Sequence, residues 1–292
     1  MKSVVYFSRK ITPSTIVELY NALGKKLPGN IAVKVHSGEE GNQNYLKPEF
    51  MKDIIDYVNG TVVECNTAYS GKRNTTEKHL KTIEKHGWSK IFKFDLMDSE
   101  EPDLILPVRN GKHLKENYVG KNMANYDSML VLSHFKGHPM GGFGGALKQL
   151  SIGCASSRGK AWIHSAGTNK DQYTLWDNLP EQNDFLESMA EAASSVVDYF
   201  SGNMVFVNIM ANMSVDCDCC SVAEDPCMKD IGILISLDPV AIDKACIDLV
   251  EQSNDPGKEH FMERVNSRNG MHTILEAEKL GVGSTEYEII EL

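Results

Sequence analysis

The chain reads as an α/β protein with a mainly parallel sheet flanked by helices, and three observations predict this. Short β-type runs alternate with helical periodicity along most of its 292 residues. Some runs, such as Ser128–Ser133, are apolar without alternation, as strands buried on both faces are. Two helix starts pair a capping side chain with proline, Thr12-Pro13 and Asp238-Pro239.

In order, Val4–Phe7 is a strand, and the helix opened by Pro13 carries Ile16, Val17, Leu19, Tyr20 and Leu23 on one face before Pro28-Gly29 ends it. Ile31–Val35 is a second strand, running into the polar loop His36–Asn42. Pro48 opens a helix whose buried face is Met51, Ile54, Ile55 and Val58, closed by Asn59-Gly60. Thr61–Cys65 is a strand and Thr75–His86 a helix. Lys90–Phe94 and Leu104–Val108 are read as strands, the latter followed by a turn at Asn110-Gly111. Beyond Ser128–Ser133 and a glycine-rich loop, Phe185–Phe200 has helical spacing and Met204–Met210 is a buried strand. Ile231–Ser236 is the last clear strand. A helix runs from Pro239 to about Gln252, and two short helices near His260–Asn266 and Thr273–Leu280 finish the chain. No repeat or linker divides it, so one domain over 1–292 is expected, with an irregular excursion at about 160–183.

A chain of this length can bury a substantial core, and 41% hydrophobic with 24% charged residues is ordinary for a soluble protein. The net charge of −10 argues against general nucleic-acid binding, which needs clustered Lys and Arg. No apolar stretch approaches the roughly 20 residues that span a bilayer, and the opening apolar run is too short for a secretory signal. A cytoplasmic location is expected. In that reducing setting the seven cysteines are read as thiols and metal ligands rather than disulfides. A homodimer is the base-rate expectation.

Three segments at strand ends carry the chemistry, where open α/β sheets bind ligands. The first is His36–Asn42, in which His36, Glu39 and Glu40 suit zinc binding or acid–base work, although most such clusters are solvated loops. The second, His134–Gly145, holds His134, Lys136 and His138 before Gly141, Gly142, Gly144 and Gly145. These glycines would let backbone amides approach an anion, with the helix starting at Ala146 facing it, although no nucleotide fingerprint is present. His138 is preferred to His134, which lies closer to the strand. The third is Asp216-Cys217-Asp218-Cys219-Cys220 with Cys227, four cysteines in eleven residues. Soft thiolates suit zinc or iron, but this spacing matches neither the bacterial ferredoxin run nor a zinc finger. Cys65 and Cys246 read as packing residues.

The stretches KVHSGEEGN (34–42), SGKRN (70–74), SHFKGHPMGGFGGALK (133–148), IGCASSRGK (152–160), His164, CDC (217–219), DIGILIS (230–236) and DPVAID (238–243) resemble a widespread family of uncharacterised iron–sulfur-centre proteins, defined by a domain of unknown function. That resemblance puts Cys154, His164, Cys217 and Cys219 at family-like positions. Similar members carry a ferredoxin-like insert after the segment ending at His164. No cysteine lies between His164 and Phe185 here, so an iron–sulfur cluster is not expected.

The leading expectation is a metal ion, zinc or iron, held by Cys217, Cys219, His138 and His36 with Cys154 and His164 nearby. Lys136 and His138 would act in catalysis, and Lys148 with the glycine amides would bind a small anionic substrate. Redox chemistry would need a separate ferredoxin as electron donor. A non-catalytic metal-transfer protein is the alternative, and a metal-free enzyme taking a phosphorylated ligand is a third reading.

Overall fold

The computed structural model describes residues 2–292. The first half contains β1 (Ser3–Ser8), α1 (Pro13–Leu23), β2 (Ile31–Lys34), α2 (Pro48–Val58), β3 (Thr61–Glu64), α3 (Thr76–Lys85), α4 (Trp88–Ile91), β4 (Phe94–Leu96), β5 (Leu104–Pro107), β6 (Glu116–Val119) and β7 (Ser128–His134). There follow β8 (Lys136–His138), β9 (Gly142–Gly144), α5 (Ala146–Cys154), α6 (Ser157–His164), α7 (Gln182–Phe200) and β10 (Met204–Met210). The chain closes with β11 (Gly232–Ser236), α8 (Pro239–Gln252), α9 (Lys258–Ser267), α10 (Met271–Lys279) and β12 (Tyr287–Glu291).

Eight strands form one sheet in the order β12-β1-β11-β10-β7-β2-β3-β4. β11 runs antiparallel to β1 and β10, and every other pairing is parallel. The apolar runs that the sequence reads as two-sided strands are just that. In β7, Met129 and Val131 pack on one face with α5, α7 and α8, while Leu130 and Leu132 pack on the other with α1 and α2. β10 repeats the division, with Phe206 on the first face and Val205 and Val207 on the second. Among the described residues no helix is long and apolar enough to cross a membrane.

Helix boundaries follow local chemistry. Thr12 caps α1 by accepting from the Thr15 amide, Thr75 caps α3, and Asp238 accepts from the amides of Val240 and Ala241 at the start of α8. Four expectations fail. Lys90–Phe94 is not a strand. Trp88 is buried and its indole donates to the Ser37 carbonyl (3.2 Å), which fixes a helical turn there and delays the strand to Phe94. The glycine-rich loop is a buried hairpin of β8 and β9. The irregular excursion begins after His164 rather than at 160, because Ser156 caps α6 through the Gly159 amide. The chain does not finish on a helix, since the exposed β12 adds an edge strand parallel to β1.

From β2 the chain steps outward to β3 and β4, whereas from β7 it steps the other way to β10. The carboxyl ends of β2 and β7 therefore flank a topological switch point, where such sheets open a crevice.

The start of α5 is closed by an internal anion. Asp243 of α8 accepts from the amides of Ala146 (2.7 Å) and Leu147 (2.9 Å) and from Asn208 Nδ2 (2.7 Å). A Cβ on Gly145 would stand 2.3 Å from its carboxylate, so that glycine serves close approach. Asp243→Ala strands three buried donors and is expected to lower stability by about 3 kcal/mol in urea denaturation.

Candidate metal centre and cationic cavity

The loop after β2, the β8–β9 hairpin after β7 and the cysteine loop after β10 meet at the switch point. The Glu39 amide donates to the Asp218 carbonyl (2.8 Å), and Asn42 Nδ2 donates to the carbonyls of Cys217 (3.3 Å) and Cys220 (2.8 Å). The first loop thus clasps the third.

One ligand atom each from His138, Cys217 and Cys219 lies within 4.8 Å of the others. Cys217 is fully buried. Its sulfur accepts from the Cys219 amide (3.4 Å), and the Lys148 ammonium stands 3.9 Å away. His138 Nε2 is 3.9 Å from Cys219 Sγ, while its Nδ1 accepts from the amides of Met140 (3.2 Å) and Gly141 (2.9 Å). Those two amides assign the ring proton to Nε2, facing the sulfurs. Burial, then the charge of Lys148, pushes His138 down to about 4. Cys217, and then the charge of Lys148, lower the Cys219 thiol, but Cys220 and burial prevail and raise it to about 11.

Of the other residues read as ligands, His36 stands outside this group, its Nδ1 accepting from the Gly38 amide (3.1 Å). His164 lines the same cavity, and its Nδ1 donates to the Lys160 carbonyl (2.7 Å), leaving an Nε2 lone pair. Cys154 is a core residue whose thiol burial pushes up to about 11, and it stands apart from the cluster.

The glycine and lysine readings need correction. Gly141, Gly142, Gly144 and Gly145 are absent from the cavity wall, and the helix start they precede is already filled by Asp243. They allow close packing instead; a Cβ on Gly142 would meet Gly270 at 2.9 Å. Lys136 is buried behind the cysteines and paired with Asp218 (3.1 Å). Burial works against its charge, but Asp218 and the two thiols outweigh it and raise the ammonium. His134 also binds Asp218 (2.9 Å) through Nδ1, with Nε2 on the Ala211 carbonyl (2.6 Å). Glu39 and Glu40 are likewise committed, Glu39 to Arg73 (3.2 Å) and Glu40 to Lys85 on the surface (2.7 Å).

Beside the cluster lies a cavity of about 220 Å³. One part of its wall is cationic, with Lys34, Lys148, Lys160 and Arg73; another is apolar, with Met140, Ile152, Leu175 and Trp176. Lys34 and Lys160 were not singled out from sequence as binding groups. Their signals were a lysine ending the apolar strand Ile31–Lys34 and a lysine one helical turn before His164.

Fold and site together define an α/β protein with a thiol–imidazole cluster beside a cationic cavity. A family described as a domain of unknown function (DUF362) matches residues 31–248, and the chain belongs to that family. No curated protein matches it. Among solved structures it is similar to the lactate racemase apoprotein from Thermoanaerobacterium thermosaccharolyticum (15% identity, TM-score 0.44, 70% of this chain and 50% of that one). It is also similar to a protein from Thermotoga maritima (11% identity, TM-score 0.42, 87% of this chain and 58% of that one). The chain thus spans 50% and 58% of the lengths of these two structures.

Proposed function

We propose that this protein is a metal-dependent enzyme acting on a small anionic substrate. The observation that carries this reading is the grouping of His138, Cys217 and Cys219 beside a cavity walled by Lys34, Lys148 and Lys160. Two thiolates and an imidazole suit zinc or iron, and three protein ligands leave a position open. A bound metal there would supply Lewis-acid chemistry or, if iron, one-electron chemistry fed by a separate donor such as a ferredoxin. Cys217 and Cys219 would hold it most firmly. His138 would be the weaker ligand, because its Nδ1 lone pair accepts from the Met140 and Gly141 amides, and Nε2 could take a metal only if the ring proton moved to Nδ1 and those two contacts were given up. Lys148 would orient the substrate's charge beside the metal, and His164, with its free Nε2, would accept a proton.

Elemental analysis of anaerobically purified protein, with zinc and iron titrations, tests this. The expected result is one metal per chain, lost in Cys217→Ser and Cys219→Ser. His138→Asn is expected to weaken binding by about 10–100-fold. Undiminished metal in the double cysteine variant would overturn the reading.

A non-catalytic metal-transfer role is favoured by one separate feature. Cys219 faces both the inner cavity and an outer pocket that it shares with Cys220, which gives a metal a path to the surface. Rapid loss of the metal to a chelator, slowed in Cys220→Ser, would support transfer over catalysis.

A further inference from the structure

The cavity wall holds two lysines without ion-pair partners. Lys34 is fully buried; its ammonium donates to the Val35 carbonyl and to Gln149 Oε1 (3.1 Å). Lys160 is 6% exposed and donates to the Ala155 carbonyl. Neither ammonium has an ion-pair partner among the described residues. The carboxylates that act on them are committed elsewhere. Glu64 pairs with Arg73 (2.9 Å) and His79 (3.2 Å), and Asp98 accepts from the amides of Asn66 (2.9 Å) and Ser157 (3.3 Å). Burial pushes Lys34 down, Glu64 and the nearby thiols push back, and the charge of Lys160 adds to the depression. Two like charges in a low-dielectric pocket are costly unless an anion lies between them.

The remaining wall narrows the ligand class. Beside the polar side chains of Thr67, Tyr69, Arg73 and Gln149, the wall has an apolar part, Met140, Ile152, Leu175 and Trp176, that presents hydrocarbon and aromatic surface without partners for hydroxyls. A phosphate or sugar phosphate would leave polar groups facing this wall unpaired, whereas an alkyl or aryl group would bury well against it. We infer that Lys34 and Lys160 form a carboxylate subsite, and that the cavity takes an organic acid whose apolar body lies along Met140, Ile152, Leu175 and Trp176. This deepens the reading of an anionic substrate but stands on residues separate from the metal cluster. The two ammonium groups hold the carboxylate, and the rest of the molecule lies along the apolar part of the wall.

Calorimetric titration of metal-free protein with hexanoate, hexan-1-ol and inorganic phosphate tests it. Hexanoate is expected to bind at least about tenfold tighter than either of the others, as a charge-assisted contact predicts. Lys34→Gln and Lys160→Gln are each expected to bring hexanoate down toward hexan-1-ol while leaving hexan-1-ol unchanged. Cys217→Ser/Cys219→Ser is expected to keep hexanoate binding, so failure of the metal reading and failure of the subsite are read separately. Phosphate binding as tightly as hexanoate, hexan-1-ol matching it in the wild type, or lysine variants that bind hexanoate unchanged would each overturn the inference.

Discussion

Arg73→Met is expected to cost about 3–5 kcal/mol and to leave the chain close to unfolding at room temperature. The guanidinium is almost wholly buried and ties three acceptors together. Nε donates to Glu39 (3.2 Å), Nη1 to Glu64 (2.9 Å) and Nη2 to the Tyr69 hydroxyl (2.9 Å). Tyr69 in turn donates to the Cys219 carbonyl (3.2 Å). Burial alone would push Glu64 up, but Arg73 and His79 hold it well below the usual carboxylate range. Removing Arg73 therefore leaves two buried carboxylates without their counter-charge, far worse than removing the whole set. Urea denaturation of Arg73→Met against Glu39→Gln/Glu64→Gln/Arg73→Met checks this. The triple variant should recover part of the loss, and equal losses would show that the network's charges are not the cause.

The second large effect lies at Asp218, which Lys136 and His134 grip from two sides behind the cysteines. Asp218→Ala leaves a buried ammonium and a histidine without their acceptor, and an expected loss of about 3–5 kcal/mol follows. It also frees the segment that carries Cys217 and Cys219, so metal uptake should weaken with it. The pH dependence has a definite sign. Burial would raise this carboxyl, but His134 and Lys136 hold it well below 3.8. A group depressed in the folded state stabilises above its unfolded pKa, and that stability is lost as pH falls through the folded value. Wild-type stability should therefore drop as pH falls below about 4, and Asp218→Asn should flatten that limb. An unchanged acid limb in Asp218→Asn would remove Asp218 from the account.

The fate of individual segments shows how far sequence reaches. Periodicity and capping located the strand Met204–Met210 to the residue and the helix from its start at Pro239 to about Gln252, because a two-sided apolar run and an Asp-Pro start have one low-energy local solution. The same reasoning failed at Lys90–Phe94, where the buried Trp88 decided the local structure, and at β12, where the edge of β1 did. At the site, the chemistry of Cys217, Cys219 and His138 was visible as residue types at strand ends. Which of the neighbouring groups joined them was not. Lys136 looks like a catalytic lysine until Asp218 is seen to neutralise it, and the glycines look like an anion cradle until Asp243 is seen in it. Lys34 and Lys160 are 126 positions apart, and only the fold, which brings both to one cavity wall, turns them into a pair.

The α/β class, most strand and helix positions and the placement of soft ligands beyond the strand ends could be read from the chain. Those properties follow from local sterics, periodicity and residue chemistry. The tertiary structure alone decided which charges are cancelled and which face the cavity unpaired. Ion pairing depends on distances across the fold that no spacing along the chain encodes.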